Sequence, residues 1–346
     1  MSERPRIATD TRERRVGLWF GLLCGVTLIV CTASLLFGAG AIGPAQSLDT
    51  LLRALTGRMT DDNAWFAIES LRAPRTAIGV LVGAALAVAG ALLQAVTRNP
   101  LAEPGLLGVS GGATFAVAIA IALGADAATL RVPVAQFGAL AGCLAVLAAS
   151  RVRGAGEDPV RLVLAGAVLS GLLYALTSLV LLFDERTADE IRFWVVGSFA
   201  GRRPADVIAL LPGLGVAGLM VIGIARPLAA LALGEHVASG LGHRPRLVRL
   251  LVVVAVALLV GSATAIAGPI AFIGLVAPFV ARALAGPDVR ATLWLCLPIG
   301  AALTLGADVV SRLVVRPSEL PLGVLTALIG APVLVAVVRS RRLPTL

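Results

Sequence analysis

Residues 75–97 read RTAIGVLVGAALAVAGALLQAVT, and this stretch decides the fold class. After Arg75 it carries no charged residue, and it is long enough for a helix to cross a hydrocarbon core of about 30 Å. Lipid offers the backbone no hydrogen-bond partners, so a spanning segment of this composition folds as a helix. The stretch therefore predicts a transmembrane helix.

The same apolar character extends through the whole chain. Its residues are 58% hydrophobic and 14% charged, whereas soluble domains have roughly 45–50% apolar and about 25% charged residues. The composition predicts an all-α polytopic membrane protein with about ten transmembrane helices. The expected spans lie at about 16–37, 75–97, 105–123, 132–150, 160–183, 205–225, 247–266, 270–285, 291–310 and 321–338.

Arginine placement predicts the orientation of these spans. With a cytoplasmic N-terminus, 18 of the 29 arginines lie in cytoplasmic segments, as the positive-inside rule requires. Ten spans then leave both termini in the cytoplasm. The expected parts are a cytoplasmic tail at 1–15, one transmembrane domain at 16–338 with a cytoplasmic coupling loop at 226–246, and a second cytoplasmic tail at 339–346. A short helix is expected around Leu48–Leu55, outside the membrane.

Two segments of the chain resemble each other. Residues 82–92 and 260–270 are identical at six of eleven positions, and they lie on spans two and seven, which run in opposite directions. This arrangement is typical of transporters with inverted repeats, in which spans 2–5 and 7–10 would be the two halves. Small residues are common in membrane helices, so a chance match and tight helix packing are the alternatives.

Several classes of function are disfavoured by what the chain lacks. It contains no Lys, so it cannot form the phosphate-binding loop of an ATPase, and ATP hydrolysis is expected in a separate subunit. The cysteines lie in apolar runs away from His236 and His243, so no metal site and no cofactor are expected. Ionisable residues inside the spans are scarce, which disfavours a proton relay or a membrane enzyme. Four charged residues near span ends are expected to reach water: Glu103, Arg161, Arg282 and Asp308.

Four motifs resemble the FecCD family of permeases. The first is Leu71-Arg72-Ala73-Pro74-Arg75, followed by the run at 82–94. The most specific is NPLAEPGLLGVS at 99–110; the others are GPIAFIGLVAP at 268–278 and ELPLGVLTALIGAP at 319–332. The motifs follow one another in the family's order from about 70 to 340. One departure is Phe279, where family members often carry His, and it leaves any role of that position in doubt.

The resemblance implies the permease subunit of a type II ATP-binding-cassette importer in the bacterial inner membrane. Such a subunit gives alternating access at the interface with a second permease, either a copy of itself or a paralogue. Its other expected partners are ATPase subunits inside, a solute-binding protein outside and membrane lipid, with no nucleic acid. Ferric siderophore is the expected cargo, with corrinoid or haem as alternatives. A secondary transporter or channel is the competing class.

The resemblance also implies roles for particular residues. The coupling loop would contact the ATPase through Leu233, Gly234, Glu235, Val237, Ala238, Leu241 and Gly242, with Leu231, Val237 and Leu241 as an apolar stripe. Its alternative is a surface helix lying on lipid headgroups. Docking of the binding protein is assigned to Arg72, Arg75 and Arg312, and headgroup contact is the alternative for these arginines. Pathway lining is assigned to Ser170, Tyr174, Thr177 and Ser178, whose hydroxyls could instead bond their own backbone.

Overall fold

The computed structural model describes residues 4–57, 62–125, 127–151, 159–316 and 318–339. Within these ranges every regular element is a helix, which confirms the all-α prediction. The helices are α1 (Arg4–Leu36), α2 (Pro44–Leu55), α3 (Asp62–Phe66), α4 (Ala73–Thr97), α5 (Val109–Ala122), α6 (Ala127–Arg151), α7 (Pro159–Phe183), α8 (Glu185–Val195), α9 (Pro204–Ala232), α10 (Glu235–Gly240), α11 (Pro245–Ala267), α12 (Ile273–Ala285), α13 (Val289–Val314) and α14 (Leu322–Arg339). A π-helical segment, Ala67–Arg72, joins α3 to α4, and a 3₁₀ turn, Pro104–Leu107, precedes α5.

Each of the ten expected spans coincides with one helix. Within the described residues, six helical segments are long and apolar enough to cross a membrane: Glu13–Leu36, Asn63–Thr97, Leu164–Phe183, Pro204–Ala232, Pro245–Ala267 and Val289–Val314. Four shorter apolar segments account for the other spans: Val109–Ala122, Val132–Val146, Ile273–Ala285 and Leu322–Pro332. The helix at the predicted outer segment is also present, as α2.

Helix α9 runs further than its predicted end at 225. It continues through Pro227 to Ala232. Proline is tolerated in membrane helices because neighbouring groups satisfy the backbone that it leaves unpaired. The non-helical part of the coupling loop therefore shrinks to the residues that flank α10. Of the tail predicted at 339–346, only Arg339 lies within the described residues.

Helices α4 and α11 carry the two copies of the repeat, and both are buried at the centre of the bundle. A Cβ added at Gly83 of α4 would lie 2.3 Å from the carbonyl oxygen of Gly300 on α13. At the matching position, a Cβ added at Gly261 of α11 would lie 2.8 Å from the Cβ of Ala139 on α6. Span two (α4) therefore packs closely against span nine (α13), and the equivalent span seven (α11) packs closely against span four (α6). The repeat exchanges these two pairs, which supports inverted halves over a chance match.

Helix α1 lies at the edge of the bundle against α13. The Thr27 hydroxyl donates to the carbonyl oxygen of Pro298 at 3.0 Å, and the rings of Phe20 and Trp294 meet edge to face with centroids 6.4 Å apart. Most of the α1 surface is otherwise exposed. Contacts in the middle of α1 therefore hold it against α13.

Candidate functional site

A cluster of buried charges lies at the end of the bundle where α4 begins. The Arg75 guanidinium donates to both carboxylate oxygens of Asp308, at 2.8–3.1 Å, and to those of Glu319, at 2.8 and 3.0 Å. The Arg312 guanidinium approaches the other side of Asp308, at 2.8 Å from Oδ2. Two positive and two negative groups thus balance one another, which is what keeps charges stable away from water. The cluster joins α4, α13 and the connection that leads to α14.

The prediction that Asp308 reaches water is wrong. Its position near a predicted span end suggested contact with water, yet its side chain is fully buried. Arg282, expected to reach water in the same way, is also buried. Asp308 is held between two arginines, so it is not a free proton carrier of the kind that a secondary transporter needs. The side chain of Arg161 lies outside the described residues.

Arg72 and Arg312 bind the C-terminal end of α1. Arg72 donates to the carbonyl oxygens of Leu35, Leu36 and Ile42 at 2.8–3.0 Å. Arg312 donates to the carbonyl oxygens of Ser34 and Phe37 at 3.0 and 2.9 Å. The last carbonyls of a helix have no partner within it, and the helix dipole makes them negative. The two arginines therefore cap α1 and fix it to the bundle.

The structure brings the three predicted docking arginines to one end, but as interior groups. Arg72, Arg75 and Arg312 are 7%, 9% and 2% exposed, and each guanidinium has partners within the chain. Nothing in the sequence indicated that Glu319, which lies far along the chain, is a carboxylate partner of Arg75. The docking role stays a prediction. The observed contacts give these arginines a structural task.

The predicted coupling segment forms a short, well-defined helix at the opposite end. Gly234 precedes α10 with φ of 132°, and Gly242 follows it with φ of 80°, conformations that glycine adopts without strain. The N–H groups of Gly242 and His243 donate to the carbonyl oxygens of Ser239 and Ala238, which is the pattern of a Schellman motif. The glycines thus fix where α10 begins and ends.

The exposed face of α10 is apolar. Leu233, Val237 and Leu241, spaced four residues apart, are 76%, 45% and 63% exposed, whereas Ala238 is buried. The stripe therefore begins at Leu233; the expected member Leu231 is buried instead. On the polar side, Glu235 forms an ion pair with Arg249 of α11.

Arg98 connects this end to α4. Its guanidinium donates to the carbonyl oxygen of Leu231 at 2.7 Å, so the end of α4 is tied to the end of α9. This bond and the ion pair between Glu235 and Arg249 hold the α10 loop in place.

The candidate pathway residues on α7 divide into two pairs. Ser170 is buried and faces the carbonyl oxygen of Gly105 at 3.4 Å, and Tyr174, one turn further, is within electrostatic range of Glu103. Thr177 and Ser178 instead donate to the carbonyl oxygens one turn earlier on their own helix. Only the first pair thus faces the motif at 99–110.

Two of the family-like motifs meet in space. The Glu103 carboxylate accepts from the backbone N–H of Phe272 at 2.7 Å, next to the start of α12. Burial raises the pKa of the Glu103 carboxyl, and the hydrogen bond from Phe272 offsets part of that rise. Glu103 therefore fixes the turn at Phe272, whose φ of 70° is in the left-handed region. Phe279, where family members often carry His, is half-buried on α12.

Together these features define a class of protein. Among the ten apolar helices of the described residues, eight form two inverted halves; one end of the bundle is closed by an internal ion cluster, and the other presents an exposed apolar helix. This is the architecture of a polytopic membrane permease, and comparison with known proteins identifies its family.

The profile of the FecCD transport family matches residues 26–340. The ferric enterobactin transport system permease protein FepD of Escherichia coli K12 is 43% identical over 324 residues, covering 93% of this chain and 94% of that protein. The iron(3+)-hydroxamate import system permease protein FhuB of Bacillus subtilis 168 is 36% identical, covering 99% and 90%. The chain belongs to the FecCD transport family, which confirms the resemblance found in its motifs.

A solved structure agrees with this assignment. An inward-facing metal-chelate type ABC transporter superposes with a TM-score of 0.78 at 30% identity, covering 94% of this chain and 99% of that chain. The expected fold is thereby confirmed over nearly the whole sequence.

Proposed function

We propose that this chain is the membrane-spanning permease of an ATP-driven importer for ferric siderophores. The observation that carries the proposal is the full-length similarity to permeases named for ferric enterobactin, iron(3+)-hydroxamate and Fe(3+) dicitrate. The chain itself has no Lys for a phosphate-binding loop, so the ATPase is a separate subunit. The membrane is the bacterial inner membrane, with both termini in the cytoplasm as the arginine distribution favours.

The transport pathway lies at the interface with a second permease subunit. Helix α7 supports this assignment because Leu164, Val168 and Leu172 expose a long apolar face. Helix α14 exposes Leu328 and Ile329 in the same way. Ser170 and Tyr174 are the pathway-lining candidates that we retain, since the hydroxyls of Thr177 and Ser178 are bound to their own helix.

Helix α10 is the contact for the ATPase. An exposed apolar stripe on a short helix that is fixed at both ends suits insertion into a groove of a partner protein. Leu233, Val237 and Leu241 supply the apolar contact, and Gly234 and Gly242 set the helix ends. Buried Ala238 and paired Glu235 hold the helix on the bundle.

The solute-binding protein docks at the end that carries the ion cluster. Glu319 is 28% exposed, and it covers the outer side of Arg75. A carboxylate of the binding protein reaches Arg75 only by replacing Glu319. Docking through Arg72 and Arg312 requires their bonds to the α1 carbonyls to open. This proposal therefore couples docking to movement of α1.

Uptake in a strain that lacks the gene tests the function. Labelled ferric enterobactin, ferric hydroxamate, haem and cobalamin are supplied separately, with and without a plasmid copy. Loss and restoration of ferric siderophore uptake alone is the expected result. Dependence of haem or cobalamin uptake on the gene would keep the permease but refute the cargo, and uptake that persists when the partner ATPase is inactivated would favour a secondary transporter.

A further inference from the structure

A cavity outside the sites described above opens between α4, α9, α11 and α13. Its volume is about 630 Å³, within the roughly 300–1,000 Å³ typical of ligand-binding pockets. The lining is apolar except for two arginines, Arg226 and Arg290, and it includes no carboxylate. We call this cavity the lateral groove.

The two arginines lie at one end of the lateral groove. Arg226 is near the C-terminal end of α9, and Arg290 is in the first turn of α13, so both are on the side of the bundle where α10 lies. Along α9, the lining extends from Arg226 back to Leu214, a distance of roughly 18 Å at 1.5 Å per residue. That length is close to one leaflet of a hydrocarbon core of about 30 Å. The groove thus has a basic end and an apolar end, at the spacing of a lipid headgroup and its chain.

Both arginines are available to a ligand. They are exposed, and within the described ranges of the chain their guanidinium groups have no hydrogen bond or ion pair. The carboxylate nearest to Arg290 along the chain, Asp288, accepts from the backbone N–H groups of Arg290 and Ala291 and thereby caps α13. The one nearest to Arg226, Glu235, is paired with Arg249. Arg98 and Arg249, on the same side of the bundle, have partners inside the chain. Among the described residues, neither guanidinium at the lateral groove is thus paired with a carboxylate.

The mouth of the lateral groove is bordered by exposed apolar side chains, as expected of a surface that faces lipid. Ile222 and Trp294, at 69% and 54% exposure, border it on α9 and α13. Tryptophan is enriched where hydrocarbon meets headgroups. A Cβ added at Gly218 or Gly223 of α9 would have no atom within 4 Å, so these glycines leave the opening wide.

We propose that the lateral groove binds an anionic phospholipid. Its headgroup phosphate lies between Arg226 and Arg290, and an acyl chain runs along the wall formed by Leu214 and Leu297. Arginine suits this role because its planar group donates two parallel hydrogen bonds to phosphate oxygens. Basic pockets between helices on the cytoplasmic side are suited to anionic headgroups. The bound lipid ties α9, which leads into α10, to α4 and α13.

Native mass spectrometry of the purified full-length protein tests the proposal. Phosphatidylglycerol and phosphatidylethanolamine with the same acyl chains are titrated separately, so that a net anionic headgroup is compared with a net neutral one. Each arginine near a membrane surface is worth about fivefold in affinity for an anionic lipid. Arg226→Gln with Arg290→Gln should therefore weaken phosphatidylglycerol binding about thirtyfold and phosphatidylethanolamine binding much less, because the ammonium group of phosphatidylethanolamine offsets the charge of its phosphate.

Two further variants separate the lateral groove from general charge attraction. Arg246→Gln with Arg339→Gln removes two exposed arginines on the same side that do not line the groove, and phosphatidylglycerol binding should persist. Gly218→Leu places a larger side chain at the opening, where an added Cβ meets no atom within 4 Å, and should displace both lipids. Equal affinity of the wild type for the two lipids would overturn the proposal. So would unchanged binding in the Arg226/Arg290 or Gly218 variants, or an equal loss in the control.

Discussion

The two ends of α4, about 37 Å apart, hold the bundle together in different ways. At the first end, Arg72, Arg75 and Arg312 are buried, and their donors are satisfied by groups of the same chain. At the second end, Arg98 makes a single bond to a carbonyl oxygen of α9, and the adjoining helix α10 exposes leucine and valine to its surroundings. The charged groups of the first end are paired within the chain, whereas the second end exposes apolar side chains to which a partner protein can bind.

This difference teaches what to expect from substitutions at each end. Removing one member of a buried ion cluster leaves the others unpaired, so the free energy of unfolding falls steeply. Removing an exposed apolar side chain leaves the fold intact and affects only what binds there. Four substitutions, from the largest expected effect to the smallest, can break or sharpen the comparison.

The largest effect is expected for Asp308→Asn. The amide keeps the shape of the side chain but cannot balance Arg75 and Arg312, so the free energy of unfolding should fall by about 3–5 kcal/mol. Thermal unfolding in detergent measures the change. Asp49→Asn, which removes the carboxylate of an exposed pair with Arg53, is the control and should have little effect. Equal shifts in the two variants would contradict the ion-cluster account.

Arg72→Met should release the C-terminal end of α1. Methionine fills similar space but donates to none of the carbonyls of Leu35, Leu36 and Ile42, so we expect a loss of about 2 kcal/mol. Hydrogen exchange should increase over residues 33–43 and stay unchanged in α11. Arg53→Met is the matched control at an exposed position. Protection of residues 33–43 that survives Arg72→Met would show that α1 is held by other contacts.

Val237→Asp should weaken ATPase binding without destabilising the permease. An apolar anchor at an interface is worth about 2 kcal/mol, or roughly thirtyfold in affinity. Binding of the detergent-purified ATPase to immobilised permease measures the loss. His236→Asp places the same charge on α10 outside the stripe and should lose far less. If both variants bind equally well, the stripe is not the contact.

The smallest effect is expected for Glu103→Gln, and its size depends on pH. A carboxyl whose pKa is raised by burial favours the protonated folded state, so ionisation costs stability as the pH rises above the unfolded value of about 4.3. The Gln variant should be slightly more stable than the wild type near pH 7.5, and the difference should vanish near pH 4. Thermal unfolding across this range provides the test, and lower stability of the variant at pH 7.5 would contradict it.

The sequence predicted the helices and the family, because both depend on local patterns. Apolar runs of spanning length identified ten helices, and the match between Gly83 and Gly261 indicated the repeat. The end of α10 was also predictable, because Gly242 is a residue type that commonly follows the last turn of a helix.

The sequence could not predict which charges pair. Asp308 was predicted to reach water, since it lies near the end of a predicted span. Its burial results from packing against α1 and α4, which no local sequence pattern shows. The bond between Arg75 and Glu319 joins residues far apart in the chain, and no spacing rule connects them. One member of the predicted apolar stripe was wrong: Leu231 is buried, and the exposed residue is Leu233. The reason is that α9 continues through Pro227 to Ala232, beyond its predicted end.

ATP-dependent uptake by a reconstituted complex tests the central claim most directly. Permease, ATPase and binding protein are placed in liposomes, and labelled ferric siderophore is supplied on the side of the binding protein. The account predicts accumulation that requires ATP and is abolished by Val237→Asp but not by His236→Asp. Accumulation without ATP, driven by an ion gradient alone, would contradict it.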